Sequence, residues 1–117
     1  MKLDFDIVRE VLIEIESKTS LDEYVIYNKT DTEINKFYAL LKLEESNLIN
    51  CHIIEAWGGP IGIRVFSLTW NGHEFLNNIR SSKVVQHTKT VIKDLGSVSL
   101  KVFSQIAESY IKSQIGI

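Results

Sequence analysis

Along residues 4–17, apolar side chains recur at Ile7, Val8, Val11, Leu12 and Ile15. This spacing predicts a helix with one apolar stripe. Asp4 stands at the cap position, Asp6 lies in the first turn and Lys18 near the far end, each with the sign that the helix dipole favours. Tyr24 to Tyr27 (YVIY) is β-branched and aromatic between polar neighbours, which predicts a short strand lying third beside a later hairpin.

The T-x-x-E run Thr30–Glu33 offers Thr30, Asp31 or Thr32 as the cap of a second helix, with Ile34, Phe37, Tyr38 and Leu41 at i, i+3, i+4 and i+7. Leu40 and Leu43 widen its apolar arc, and Asn35, Lys36, Ala39, Lys42 and Ser46 form its polar side. Asn47 suits a left-handed position just past the helix, with Leu48 as the apolar contact beyond it.

Ile49–Ala56 and Ile61–Thr69 then predict a β-hairpin around the tip Trp57-Gly58-Gly59-Pro60-Ile61-Gly62, where Gly-Gly-Pro supplies unusual backbone angles. In the second strand Phe66 and Leu68 alternate with Val65 and Ser67. Thr69 can cap a helix carrying Gly72, Phe75, Leu76 and Ile79 on one face, with Gly72 permitting close packing. A helix over about 83–95 follows, with Val84, Val85, Thr88, Val91, Ile92 and Leu95 as its less polar positions and Gly96 beyond its end. Ser97 or Ser99 caps a last helix with Leu100, Phe103, Ile106, Ala107, Tyr110 and Ile111 on one face.

The expected fold class is α+β. A winged-helix-like core over 1–80, made of helices and a small three-stranded antiparallel sheet, is followed by C-terminal helices over 81–117 within a single domain. Its length of 117 residues and 44% hydrophobic content suit one core. No apolar run approaches the ~20 residues of a membrane span. The acidic, amphipathic start is unlike a signal peptide, and the lone Cys51 rules out an internal disulfide, so a cytoplasmic setting is expected.

Charge sharpens the functional reading. Residues 1–80 hold 8 Lys and Arg against 13 Asp and Glu, whereas residues 81–117 hold 5 against 2. A nucleic-acid binder draws most of its affinity from phosphate neutralisation. Here the would-be recognition helix is net acidic, and only Asn35, Lys36 and Lys42 on it, with Arg64 in the hairpin, qualify as DNA contacts. The tip carries no basic residue.

Candidate chemistry is sparse. Cys51 and His52 are adjacent and point to opposite faces of a strand, and His73 and His87 lack partners at ligand spacing. GGPIG precedes a strand rather than a helix and so is no phosphate loop. These features predict no catalytic residue, no cofactor and no metal. Trp70, beside the Thr69 cap, reads as core. Trp57 reads either as a partner anchor at the tip or as a side chain folded back over the hairpin.

MKLDFDIVREVLIEIE, TEINKFYALLKLEESNLI and GGPIGIRVFSLTWNGHEFLNNIR together resemble a family of small bacterial and prophage proteins, a domain of unknown function with a winged-helix-like fold. LTWNGHEFL carries most of that resemblance. It implies a fold and a phage or prophage context, and it brings no catalytic residues. The chain departs from a standard winged helix in leaving little room for a helix between Lys18 and Thr30.

The expected function is non-enzymatic. A protein partner would bind through Trp57, Gly58, Gly59, Pro60 and Arg64, in an anti-defence role such as CRISPR inhibition or in a regulatory one. The alternative is a DNA-binding regulator using Asn35, Lys36, Lys42 and Arg64. In either case a homodimer through the C-terminal helices is expected.

Overall fold

The computed structural model describes residues 2–95 and 98–115. Helix α1 (Phe5–Lys18) is followed by strand β1 (Val25–Asn28), helix α2 (Ile34–Glu45), the hairpin β2 (Ile49–Ala56) and β3 (Gly59–Leu68), and then helices α3 (Trp70–Ile79), α4 (Ser82–Ile92) and α5 (Leu100–Gln114). A 3-10 turn, Lys93–Leu95, extends α4. The chain is thus α+β, with a three-stranded antiparallel sheet and helices at its C-terminal end. The sheet order is β1-β3-β2, which puts the early strand beside the hairpin as the sequence predicts. Among the described residues no helix lies between β1 and α2, so the helix-turn-helix of a standard winged helix lacks its first member.

Local chemistry explains most boundaries. The Asp4 side chain accepts from the N–H groups of Asp6 and Ile7. Thr69 Oγ1 accepts from Gly72 N, and Ser99 Oγ from Val102 N. The α2 cap differs from the expectation: Glu33, not Thr30, Asp31 or Thr32, accepts from Lys36 N. Past α2, Asn47 takes φ +57°, and two further bonds close the helix end, Leu48 N to Leu43 O and Asn47 N to Glu44 O. This is the left-handed Schellman stop that asparagine tolerates. The candidate helix end at Gly96 and the candidate cap at Ser97 lie outside the described residues.

One buried cluster runs from Phe5 to Ala107 and draws on all five helices and the inner face of the sheet. Val8, Val11, Leu12 and Ile15 of α1 pack among Ile63 and Val65 of β3, Leu76 and Ile79 of α3, and Phe103 of α5. Phe5 stacks on Phe103 with ring centroids 3.8 Å apart. The C-terminal helices therefore share the core with residues 1–80.

Three packing details depart from the periodicity. On α2, Ile34 is exposed while Phe37, Ala39, Leu40 and Leu43 are buried, because α1 and β2 both press on this helix and turn its buried arc. Val91 and Leu95 are exposed at the end of the α4 segment. A bulge in β3 lets Phe66 and Ser67 together face Asn50, so Phe66 points outward while Leu68 turns in. The expected grouping of Phe66 with Leu68 fails for that reason.

Gly72 fixes how the hairpin joins the helices. It lies against the Leu48 carbonyl at the entry to β2, and Thr69 anchors to the same crossing through bonds to Leu48 O and Asn47 O. The base of the hairpin is clamped there.

Candidate partner-binding surface on the hairpin and sheet

The β2–β3 turn has only two residues, Trp57 and Gly58, closed by the Ala56–Gly59 pair. The tip is therefore shorter than the six residues expected from sequence. Gly58 (φ +96°) and Gly59 (φ +117°) hold the backbone in a region that L side chains rarely adopt. Trp57 occupies the first turn position and is 104% exposed, so it does not fold back over the hairpin. Pro60 lies within β3 opposite Glu55. β1 pairs with β3 only over Gly62–Val65, so at Pro60 the strand needs no donor toward a second neighbour.

Arg64 lies five residues beyond Gly59, about 17 Å along the strand. Trp57 and Arg64 therefore sit at separate places on one hairpin rather than in one pocket. Arg64 pairs with Ile26 of β1 and His52 of β2, which puts it in the middle of the outer face of the sheet. Around it lie Tyr24, Ile26 and Phe66, each substantially exposed. Tyr24 and Phe66 meet edge to face at 5.9 Å, and the Arg64 guanidinium lies 5.4 Å from the Tyr24 ring centroid. Sequence reading missed this cluster, since it depends on which strands become neighbours and on the Phe66 bulge. The alternation of Tyr24, just before β1, with Ile26 within it was the signal available for that part of the cluster.

The candidate DNA-contacting residues do not form one reading face. Asn35 is exposed at the start of α2, beside a cleft of about 480 Å³ that also involves Lys2, Lys89 and Lys93. Lys36 turns toward α1, where its Nζ lies 3.0 and 3.2 Å from the two Glu14 carboxylate oxygens. Tyr27 donates its hydroxyl to the same carboxylate at 2.6 Å. Burial pushes the Glu14 carboxyl up, but the hydrogen bonds from Tyr27 and Lys36 and the charges of Lys36 and Lys18 outweigh it, leaving it below the usual range. Burial and the Glu14 carboxylate both push the Tyr27 hydroxyl up. Lys42 donates to Glu45 at 3.1 Å and lies over the Tyr38 ring.

Trp70 is 77% exposed, contrary to its reading as core. It opens α3, and the buried stripe of Gly72, Phe75, Leu76 and Ile79 lies on another side of that helix. Among the described residues no three His, Cys, Asp or Glu side chains converge as a metal would require. Cys51 faces inward and His52 outward. Burial and the Glu44 charge push the Cys51 thiol up to about 11, the opposite of an activated nucleophile. His87 is stacked on Tyr110 at 3.9 Å. No described helix is long and apolar enough to cross a membrane.

Comparison with known proteins places this arrangement in a family. Residues 2–99 match the family described as "Hypothetical protein (DUF2513)". The chain belongs to the DUF2513 family. An "Uncharacterized protein" of Haemophilus influenzae is 28% identical to it over 119 residues, covering 98% of this chain and 99% of that protein. The DUF2513 match ends at Ser99, the cap of α5, whereas this relative covers nearly the whole chain. No solved structure matches the chain.

Proposed function

We propose that this DUF2513 protein is a non-enzymatic binding protein, a winged-helix-like scaffold that captures another protein through its hairpin. The observation that carries the reading is Trp57, fully exposed on a two-residue turn whose backbone is set by two glycines. A large apolar side chain held out by a short turn has little freedom to lose on docking, which is the economy of an interface anchor. The tip adds no charge of its own, and Glu55 flanks it.

A regulator reading DNA through α2 is the weaker alternative. Lys36 and Lys42 are both committed to carboxylates, so phosphate contact would have to break those pairs. The cleft beside Asn35 is what favours this alternative, through Lys2 and Lys93; its third lysine, Lys89, is itself paired with Asp6 at 2.6 Å. In a phage or prophage setting, the protein partner would be a host component, and the role anti-defence or regulatory. At the C-terminal helices, Leu100, Phe103 and Ala107 are buried within the chain, while Val91, Leu95, Val102 and Ile115 stay exposed as the apolar surface on which a homodimer would form.

The test compares tagged wild type with Trp57→Ala by co-purification from cells of the source bacterium, followed by affinity measurement on the recovered partner. A hot-spot tryptophan predicts a loss of about 30-fold or more, with the fold intact. Equal affinity of the two proteins would sink the reading. So would duplex DNA binding with a steep salt dependence that Lys36→Ala with Lys42→Ala abolishes.

A further inference from the structure

Among the described residues, the outer face of the sheet holds a charge without a counter-charge. Arg64 is half-buried, and its Nε is fully shielded from solvent with no hydrogen-bond partner among the described residues. No described carboxylate pairs with its guanidinium, which lies 5.4 Å from the Tyr24 ring centroid. By contrast, Arg80 is held by the Glu16 carboxylate through two bonds of 2.9 Å. Buried polar groups in folded proteins are nearly always satisfied, and an orphaned donor on a cation costs more than a neutral one. The shielded Nε is closed to an incoming group, so what this face offers a ligand is the unpaired end of the guanidinium, its two terminal nitrogens.

We infer that the outer sheet face around Arg64 docks a segment of a partner protein that presents an Asp or Glu side chain flanked by apolar residues. The inference rests on the reading of this protein as a protein binder, and it places a second contact well away from the Trp57 tip. The planar guanidinium presents a fork that matches a carboxylate with two parallel hydrogen bonds. Tyr24, Ile26 and Phe66 surround it with exposed apolar surface. Beside them Leu21, Tyr24 and Phe66 line a shallow hollow of about 250 Å³, large enough for one apolar side chain. Aromatic residues with a central arginine are the composition of interface hot spots.

Charge selects among occupants. A second copy stacked on this face about a two-fold axis through its centre would set Arg64 against Arg64, which disfavours self-pairing. A single-stranded nucleic acid would stack on Tyr24 and Phe66, but its phosphates need a run of cations. Asp22 and Glu23 border the hollow instead, and Glu55 lies toward the tip. One carboxylate among apolar groups fits one guanidinium.

The experiment is selection of random displayed peptides on the immobilised full chain, run in parallel on wild type, Arg64→Gln and Trp57→Ala. Wild type is expected to enrich peptides with an acidic residue flanked by apolar ones. Arg64→Gln should lose them, while Trp57→Ala keeps them. With the protein unchanged, replacing that peptide's Glu by Gln or its Asp by Asn should weaken binding about 10- to 100-fold. This arm decides the matter even if Arg64→Gln does not fold.

Enriched peptides without a fixed acid would overturn the inference, as would peptides that tolerate the amide exchange or no enrichment at all. Binding of an oligothymidylate at Tyr24 and Phe66 in place of peptides would overturn it in favour of nucleic acid. Peptides lost only with Trp57→Ala would remove the Arg64 site and leave the tip reading standing. The reverse pattern, lost only with Arg64→Gln, supports the inference independently of the tip.

Discussion

Gly72→Ala tests the clamp that aims the hairpin. In an exposed helix interior this change normally stabilises by about 1 kcal/mol, because alanine loses less backbone freedom. At this site an added Cβ would stand 3.0 Å from the Leu48 carbonyl carbon, closer still to its oxygen, and 3.4 Å from Leu68 Cβ. The neighbour is backbone, so no side chain can swing aside. The carbonyl would have to retreat by about 1 Å or more to regain van der Waals spacing. The same carbonyl accepts from Thr69 N at 3.1 Å, so its retreat also strains the α3 cap.

Overpacking of this kind costs typically 1–3 kcal/mol and occasionally more, and backbone rigidity places Gly72 at the upper end. After subtracting the helix-propensity gain, the expected net loss is about 2 kcal/mol. For a domain of this size that lowers the melting temperature by roughly 8 °C. Urea and thermal unfolding of the variant beside wild type measure it directly. A variant as stable as wild type, or more so, would refute the claim that α3 and the start of β2 meet with no room for a methyl group.

Two further outcomes follow from the titrating groups. Glu14 has a folded pKa below its ordinary value of about 4.5, so its contribution to stability is present above that value and lost as pH falls through the lower folded one. Glu14→Gln should therefore lower stability at neutral pH by about 1–3 kcal/mol and flatten the acid limb of the urea-stability profile; an unchanged limb would refute the Tyr27–Glu14–Lys36 network. Cys51, raised to about 11, should react slowly with a thiol reagent at pH 8 and accelerate as pH rises toward that value. Fast labelling of the folded protein at neutral pH would show the thiol to be neither shielded nor raised.

Much of the architecture was legible because it is local. The Asp4, Thr69 and Ser99 caps, the left-handed Asn47 and the Gly72 contact each express a side-chain or backbone property of one residue in its own segment. Trp70 was legible too, had its position been compared with the Gly72, Phe75, Leu76, Ile79 stripe instead of with the hydrophobicity of tryptophan. The α2 face was not. Its arc is apolar on more than one side, and only the positions of α1 and β2 decide that Ala39 is buried and Ile34 is not.

The sequence alone determined the elements, their order and the glycine tip, because hydrophobic period, caps and φ preference act within a few residues of chain. It also determined that the tip and the α2 segment lack the positive charge of a DNA reader. Tertiary structure decided what those pieces face. Strand pairing brought Tyr24, Ile26, His52 and Arg64 together from three separate segments, and the bulge added Phe66. Packing of α2 on α1 turned Lys36 toward Glu14, and the two-residue turn held Trp57 outward. Such outcomes depend on contacts between residues far apart in the chain, which no local pattern encodes.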